Sequence, residues 1–224
     1  MILYAIPTPL GGRAADALPA AALQKIRALK DFAVENAKSA RAFLGEIGMP
    51  VRELNIFELQ NETHPLKPML EGRDLGLLSE AGCPAIADPG AALVEAAHRE
   101  GFDVVPLVGP SSIVLALMAS GLEGQRFAFC GYLPREGEDR KTKLRELEAR
   151  SRREDETEIF IETPYRNDAL LAALVETCRP ATKLCVAADL TLPSQSIRTK
   201  SIADWRKAAA PIGKRPAVFL LLSG

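Results

Sequence analysis

Glycine, proline and serine are concentrated in a segment whose residue types favour binding a ligand through the backbone. Residues 79–90 read SEAGCPAIADPG and directly follow the apolar run LGLL at 75–78. Gly82 and Gly90 tolerate positive φ, whereas Pro84 and Pro89 fix φ and lack an N–H, so regular strand pairing cannot continue. Open parallel sheets bind ligands outside the carboxyl ends of their strands. The segment therefore predicts a ligand-binding loop; the alternative is an ordinary strand-to-helix connection.

Three further segments of this kind also follow a β-type run and lead toward a helical one. They are PTPLGG at 7–12, GPSS at 109–112 and ETPYR at 162–166. A ligand cleft between α/β units would need such strand-end loops from both halves of the chain.

The elements that would position these loops alternate between strand and helix in the first half. The patterns predict strands at 2–6, 32–35, 51–55, 74–79 and 103–107, and helices at 19–30, 39–47, 63–71, 91–100 and 112–119. Such a βαβ series predicts a mostly parallel sheet with helices on both faces.

The pattern changes near Gly121. The second half predicts strands at 127–132, 158–162, 184–190, 197–201 and 218–222, and helices at 140–153, 167–177 and 203–210. Neighbouring strands with few intervening helices predict a mixed second sheet. We therefore expect two α/β domains, 1–112 and 113–224.

Composition is typical of a soluble enzyme. The formal net charge is −1, so no overall positive field attracts nucleic acid. No apolar stretch reaches the roughly 18–20 residues that span a bilayer, and the N-terminus begins with a strand pattern and no charged leader. These features predict a cytoplasmic protein.

Metal binding and triad chemistry are not predicted. The cysteines, at 83, 130, 178 and 185, show no CxxC spacing and are interpreted as reduced thiols. The chain has two histidines, His64 and His98, and they make a metal site or a Ser-His-Asp triad a poor hypothesis.

The predicted helix at 140–153 is rich in arginine and lysine. Its basic residues are Arg140, Lys141, Lys143, Arg145, Arg150, Arg152 and Arg153, against Glu146 and Glu148. One interpretation is a phosphate-binding helix beside the cleft; the other is an ordinary solvated helix.

Taken in order, the motifs identify a family resemblance. PTPLGG, SEAGCPAIADPG, GPSS, SGL at 120–122, GYLP at 131–134 and ETPYR resemble the tetrapyrrole methylase superfamily. Within it, the chain is most similar to the ribosomal RNA small-subunit (cytidine-2′-O)-methyltransferases, in a short form without their C-terminal extension. That branch carries PTPIGN, EDTR, SDAGTPLISDPG, PGPSA, SGLP, GFLP, ESPHR and RELTK in the same order.

The chain departs from this branch at several basic positions. EDTR becomes ENAK at 35–38, RELTK becomes ADLTL at 188–192, and Tyr165 stands where the branch has His. Lysine does not replace arginine at a bidentate contact. These losses bear on the RNA substrate more than on the cofactor.

The resemblance implies a two-domain tetrapyrrole methylase-like fold that binds S-adenosylmethionine in a cleft between the domains. The G-x-G-x-x-G fingerprint is absent. Carried over onto matching positions, the cofactor-binding residues are Pro9, Leu10, Ser79, Gly82, Cys83, Ile86, Ser111, Ser112, Leu133, Thr163, Ala187 and Asp189. The resemblance also implies a homodimer.

If the methyl acceptor is a hydroxyl, a base must take its proton. The candidate catalytic residues are Glu35, Lys38 and Glu80, all at predicted strand ends. The leading functional interpretation is ribose 2′-O-methylation of small-subunit ribosomal RNA, with RNA or the ribosomal subunit as partner. The alternatives are a methyltransferase for a tetrapyrrole or other small metabolite, and a non-catalytic protein that binds S-adenosylmethionine.

Overall fold

The computed structural model describes residues 1–208 and 210–224. The chain divides into two compact units, Met1–Ser111 and Ser112–Gly224. The domain boundary expected from the sequence lies one residue later, after 112.

The first unit is a parallel sheet with order β3-β2-β4-β1-β5. Its strands are β1 Ile2–Ile6, β2 Asp31–Val34, β3 Asn55–Glu58, β4 Leu75–Leu78 and β5 Asp103–Pro106. Its helices are α1 Ala14–Ala17, α2 Ala20–Arg27, α3 Ala37–Glu46, α4 Lys67–Leu70 and α5 Ala91–Arg99. Every residue of β2 and β4 is buried, because helices cover both faces of a parallel sheet.

The second unit is a mixed sheet with order β6-β7-β10-β8-β9. Its strands are β6 Phe127–Tyr132, β7 Thr157–Ile161, β8 Lys183–Ala188, β9 Ser196–Ser201 and β10 Ala217–Leu222. Its helices are α6 Ser112–Ser120, α7 Gly137–Glu154, α8 Asn167–Thr177 and α9 Ile202–Lys207. Among the described strands of this sheet, β6 and β7 pair in parallel and the other neighbours are antiparallel. The predicted α/β class with a parallel and a mixed sheet is confirmed.

Two predicted elements of the first unit are wrong. The strand expected at 51–55 is a 3₁₀ turn at Val51–Glu53, closed by the Glu53 N–H on the Pro50 carbonyl (2.8 Å), and the strand is Asn55–Glu58. Val51 and Leu54 still pack on the core. Their apolar side chains therefore produce a pattern that predicts a strand. The helix expected at 63–71 contracts to Lys67–Leu70, because the Lys67 N–H closes a turn on His64 across Pro65.

Two smaller differences concern helix ends. The helix expected at 19–30 ends at Arg27, and it is preceded by the short α1, which the sequence pattern does not predict. The helix expected at 203–210 is Ile202–Lys207, and residue 209 lies outside the described chain.

Gly76 marks the tightest packing of the first sheet. A Cβ at this position would lie 2.7 Å from Phe32 Cδ1 and 2.8 Å from Ile6 Cδ1, and both side chains are fully buried. The central strand therefore has a glycine because neighbouring side chains occupy the space of its side chain.

We predict that Gly76→Ala lowers the free energy of unfolding of the first unit by about 1–3 kcal/mol, because buried Phe32 and Ile6 must move. Gly45→Ala in α3 is the matched control. Its Cβ would lie 3.5 Å from Val51, and it should gain up to about 1 kcal/mol of helix propensity. Chemical denaturation of both variants measures the difference, and equal stabilities would contradict the packing argument.

Candidate active site

The loops that follow β1 and β4 are joined by a backbone pair. The Thr8 N–H donates to the Gly82 carbonyl (2.8 Å), and the Gly82 N–H donates to the Thr8 carbonyl (3.0 Å). Buried Thr8 also donates its hydroxyl to the Ser79 carbonyl (3.3 Å). Two of the segments singled out in the sequence therefore meet at the carboxyl edge of the first sheet.

The loop after β5 joins the same group. The Cys83 thiol donates to the Pro110 carbonyl (3.4 Å), and a Cβ on Gly82 would lie 3.3 Å from Leu10 Cδ2. Burial raises the pKa of the Cys83 thiol, so it stays protonated and acts as a donor. The structure thus brings Leu10, Ser79, Gly82 and Cys83 together, and Pro9 adjoins them in sequence.

The β4 loop contains backbone that ordinary residues rarely adopt. Ala85 and Ala87 have φ of 64° and 66°, and the Ala85 N–H donates to the Pro89 carbonyl (3.3 Å). Between them the apolar side chain of Ile86 is 49% exposed. Strained residues of this kind persist where surrounding contacts fix them, and they are concentrated at ligand sites.

Carboxylates lie on the other side of the β4 loop, next to β2. The Glu80 N–H donates to Glu35 Oε2 (3.0 Å), and the Ser39 hydroxyl donates to Glu80 Oε1 (3.3 Å). Asn36 caps α3 by accepting from the Lys38 N–H (2.9 Å), and Lys38 is exposed. The structure therefore groups Glu35 with Glu80 and places Lys38 beside them on the first turn of α3.

Asp88 is a member of this group that the sequence analysis missed. Burial raises its pKa to about 6; Glu35 and then Glu80 add repulsion, while a hydrogen bond from Ser79 acts in the opposite sense. The signal available in the sequence was a second acidic residue in the loop of Glu80. The prolines and glycines around it predict a role for the backbone instead.

In the second unit, the predicted residues share one sheet edge. Val218 of β10 pairs with both Ile161 and Ala187, and β6 runs parallel to β7, so the carboxyl ends of β6, β7 and β8 point the same way. Leu133, Thr163 and Asp189 follow these ends within two residues. Ala187 has a fully buried side chain inside the ladder.

Charged groups fix this edge. The Glu162 carboxylate accepts from the Thr163 N–H (2.7 Å) and from Arg166 Nη2 (2.6 Å). Asp189, at φ 53°, accepts from Arg215 Nε (2.6 Å), and this hydrogen bond lowers the pKa of the Asp189 carboxyl. Both contacts hold backbone that follows a strand end.

Ser111 and Ser112 follow the loop after β5. Gly109, two residues earlier, is so close to the β1 loop that a Cβ on it would lie 2.4 Å from Pro7 Cβ. Ser112 is the first residue of α6, and both serines are half-buried.

Comparison with known proteins identifies the family. The family model of tetrapyrrole (corrin/porphyrin) methylases matches residues 10–205. The chain belongs to this methylase family. Its members are methyltransferases, as the motif order indicated.

Relatives of this family member include "Ribosomal RNA small subunit methyltransferase I" from three bacteria. The Halalkalibacterium halodurans protein is 34% identical over 195 residues (81% of this chain, 64% of the relative), and the Vibrio cholerae protein is 32% identical over 206 (91% and 69%). The Escherichia coli O157:H7 protein is 31% identical over 206 residues (90% and 70%). The alignments thus span about two thirds of the relatives' length.

A solved structure of the methyltransferase CobJ shares the fold of this family member. It aligns with a TM-score of 0.66 at 20% sequence identity, covering 100% of this chain and 94% of the other.

Several basic side chains of α7, the helix rich in arginine and lysine, form ion pairs with carboxylates of the second unit. Buried Arg140 pairs with Glu162 (3.4 Å), Arg150 pairs with Glu158, and Lys141 Nζ lies 2.6 Å from Glu176. The helix also begins earlier than predicted and gains Glu138, Asp139 and Glu154. These contacts favour the interpretation as an ordinary helix over that of a phosphate-binding one.

Two negative findings apply to the described residues. They contain no group of His, Cys, Asp and Glu side chains that would hold a metal ion. Among them, no helix combines the length and apolar character needed to cross a membrane.

We predict that Asp88→Asn stabilises the protein in a pH-dependent way. Because the folded pKa of about 6 exceeds the ordinary 3.8, the folded state binds the proton more tightly, and wild-type stability falls as pH rises through this window. The variant should equal the wild type below about pH 4 and exceed it above about pH 6, by about 1 kcal/mol after screening by solvent. Denaturation at both pH values measures the gain; a gain of equal size at both would show that ionisation of Asp88 is not its cause.

Proposed function

We propose that this protein is an S-adenosylmethionine-dependent methyltransferase that acts on a ribose 2′-hydroxyl of small-subunit ribosomal RNA. The observation that carries the proposal is the joining of the loops after β1, β4 and β5 into one backbone-lined cradle, with a carboxylate group beside it. The names of the relatives, at 31–34% identity, support the RNA acceptor.

The chemistry of the cradle supports the cofactor assignment. Exposed Ile86 offers an apolar surface, and nearby carboxylates complement a sulfonium cation. We assign to the cofactor the first-unit residues Pro9, Leu10, Ser79, Gly82, Cys83, Ile86, Ser111 and Ser112. From the second unit we assign Leu133, Thr163, Ala187 and Asp189.

The cofactor, when bound, supplies a methyl group already activated on sulfur, so the protein has to orient the acceptor, exclude water and remove a proton. We propose that Asp88 accepts the proton of the acceptor hydroxyl as the methyl–oxygen bond forms. Its raised pKa makes it a stronger base than an ordinary carboxylate while leaving it ionised at neutral pH. Glu35 and Glu80 position it and raise that pKa, and Lys38 contributes positive charge at the rim.

A small-metabolite acceptor is the second candidate function. The acidic character of the first unit's sheet edge and the overall charge of −1 favour it, since phosphates are repelled there. We further propose a homodimer, as the resemblance implies, and a cytoplasmic location, as the composition predicts.

Calorimetric titration with S-adenosylmethionine, followed by transfer of its labelled methyl group to small ribosomal subunits, tests the function. Saturable binding with label in RNA is the expected result. Binding without label in RNA would favour a small molecule as the methyl acceptor. Absence of binding would contradict the cofactor assignment.

We predict that Asp88→Asn lowers kcat about 10²–10⁴-fold, the usual contribution of a general base. The wild-type rate should rise as pH passes about 6, and Glu35→Gln should move this midpoint to lower pH because it removes repulsion. Single-turnover rates across pH measure both effects, with Glu95→Gln at an exposed position of α5 as the control. A wild-type rate in Asp88→Asn would exclude Asp88 as the general base. Unchanged pH–rate profiles in Glu35→Gln and Glu80→Gln would exclude the role of these two residues in raising its pKa.

A further inference from the structure

A positively charged cavity lies at the edge of the second sheet. It has a volume of about 250 Å³ and is bounded by the edge strand β9, the helix α9 and the segment before β10. Its lining includes Arg198, Lys200 and Arg215 together with Trp205 and Ile212, and it contains no acidic side chain among the described residues. A concave surface with several cations has the basic chemistry of an anion site.

Strand alternation explains how the cations converge. Successive side chains of β9 point to opposite faces, so Arg198 and Lys200 share one face while Thr199 points to the other. Thr199 donates its hydroxyl to the Ser120 carbonyl (2.6 Å), so its side chain lies on the face toward the end of α6. The side chains of Arg198 and Lys200 therefore lie on the opposite face. Arg198 pairs in register with Val186, and Lys200 with Leu184, both buried core residues.

Two of the three cations are held in place, and one of them, Arg215, is neutralised by the carboxylate of Asp189. Lys200 Nζ lies 4.9 Å from the Trp205 ring centroid, and the indole N–H is fixed on the Leu184 carbonyl (2.9 Å). Arg215 Nε donates to Asp189 (2.6 Å), and its Nη2 donates to the Ser194 carbonyl (2.5 Å). A guanidinium and an ammonium held in this way lose little side-chain freedom when an anion binds.

Other charges near the cavity are already engaged. Asp204 lowers the positive potential at Lys200, but its carboxylate accepts from Ser201 (2.7 Å) and pairs with Lys207 (3.2 Å). Arg198 uses Nη1 on the Ile197 carbonyl (2.9 Å) and is otherwise exposed. The local balance is therefore positive in a chain whose net charge is −1.

The form of the cavity selects a phosphate over a nucleobase. Trp205 is only 5% exposed, so it offers no open ring face on which a base could stack. Contacts from arginine and lysine to phosphate oxygens position a nucleic acid and carry no sequence information directly. The helix α7, which the sequence suggested for this role, is a weaker candidate because Arg140, Lys141 and Arg150 have carboxylate partners within the unit. Of the three cavity cations, Arg215 alone is paired with a carboxylate among the described residues.

We propose that this cavity, formed by Arg198, Lys200 and Arg215, binds phosphate groups of the RNA backbone. The proposal rests on the proposed function, because it takes the RNA acceptor as the source of the phosphate. The cavity strengthens and orients RNA binding without reading its bases, while the sheet edge of the first unit performs the chemistry.

The salt dependence of RNA binding tests the cavity. Fluorescence anisotropy with small-subunit RNA between about 50 and 200 mM salt gives the slope of log K against log salt. Arg198→Gln with Lys200→Gln should reduce that slope by about 1.4–1.8, the value expected when two phosphate contacts are lost. Affinity should fall equally for unrelated RNA sequences, and S-adenosylmethionine binding should stay at the wild-type value.

The matched control is Lys143→Gln with Arg145→Gln, which removes the same charge from the exposed face of α7. It should keep the wild-type slope. RNA binding with equal slopes in both double variants would overturn the proposed phosphate-binding role of the cavity. It would leave the proposed function intact. No RNA binding by the wild type would overturn both.

Two further measurements separate the remaining outcomes. If the salt slope changes as expected but no methyl group reaches RNA, phosphate binding by the cavity is supported. The same result would contradict the proposed methylation of RNA. Titration with inorganic phosphate distinguishes a free anion from RNA. Saturable phosphate binding that the Arg198 and Lys200 changes abolish, with an unchanged RNA slope, would assign the cavity to a small anion and overturn the proposal.

Discussion

Close backbone contact between the loops after β1 and β4 is the constraint on which the rest of the first unit depends. Thr8 and Gly82 exchange both of their backbone hydrogen bonds, and the Thr8 hydroxyl adds a third on Ser79. Chains this close leave room only for small side chains between them, as the 3.3 Å approach of Leu10 to a Cβ on Gly82 shows. The result is a close backbone junction of the two loops at the carboxyl edge of the first sheet.

The strand order extends this constraint to the carboxylates. β4 lies between β1 and β2, so its loop contacts the β1 loop on one side and approaches Glu35, which follows β2, on the other. The strain of Ala85 and Ala87, of order 1–3 kcal/mol each, and the raised pKa of Asp88 persist because these contacts over-determine the loop. The loop thus combines backbone strain with a carboxylate of raised pKa.

The second unit distributes its charges differently. Glu158 and Glu162 are buried, and each takes an arginine of α7 as its partner, so the basic helix becomes part of the core's electrostatics. A buried carboxylate without such a partner would carry a large desolvation cost. Positive charge is left for solvent at β9 instead, where Arg198 projects from an edge strand.

The sequence by itself determined the family, the parallel and mixed sheets, and the elements whose pattern is strong, such as β6 and α8, whose bounds coincide with the predicted ones. It also identified the loops of the cradle, because glycine, proline and small residues act locally on φ and hydrogen bonding. Tertiary structure alone decided that Asp88 joins Glu35, that Arg140 is buried against Glu162, and that Arg198 and Lys200 face a cavity. These relations join residues distant in sequence, and their energies depend on burial and distance, which no local pattern encodes.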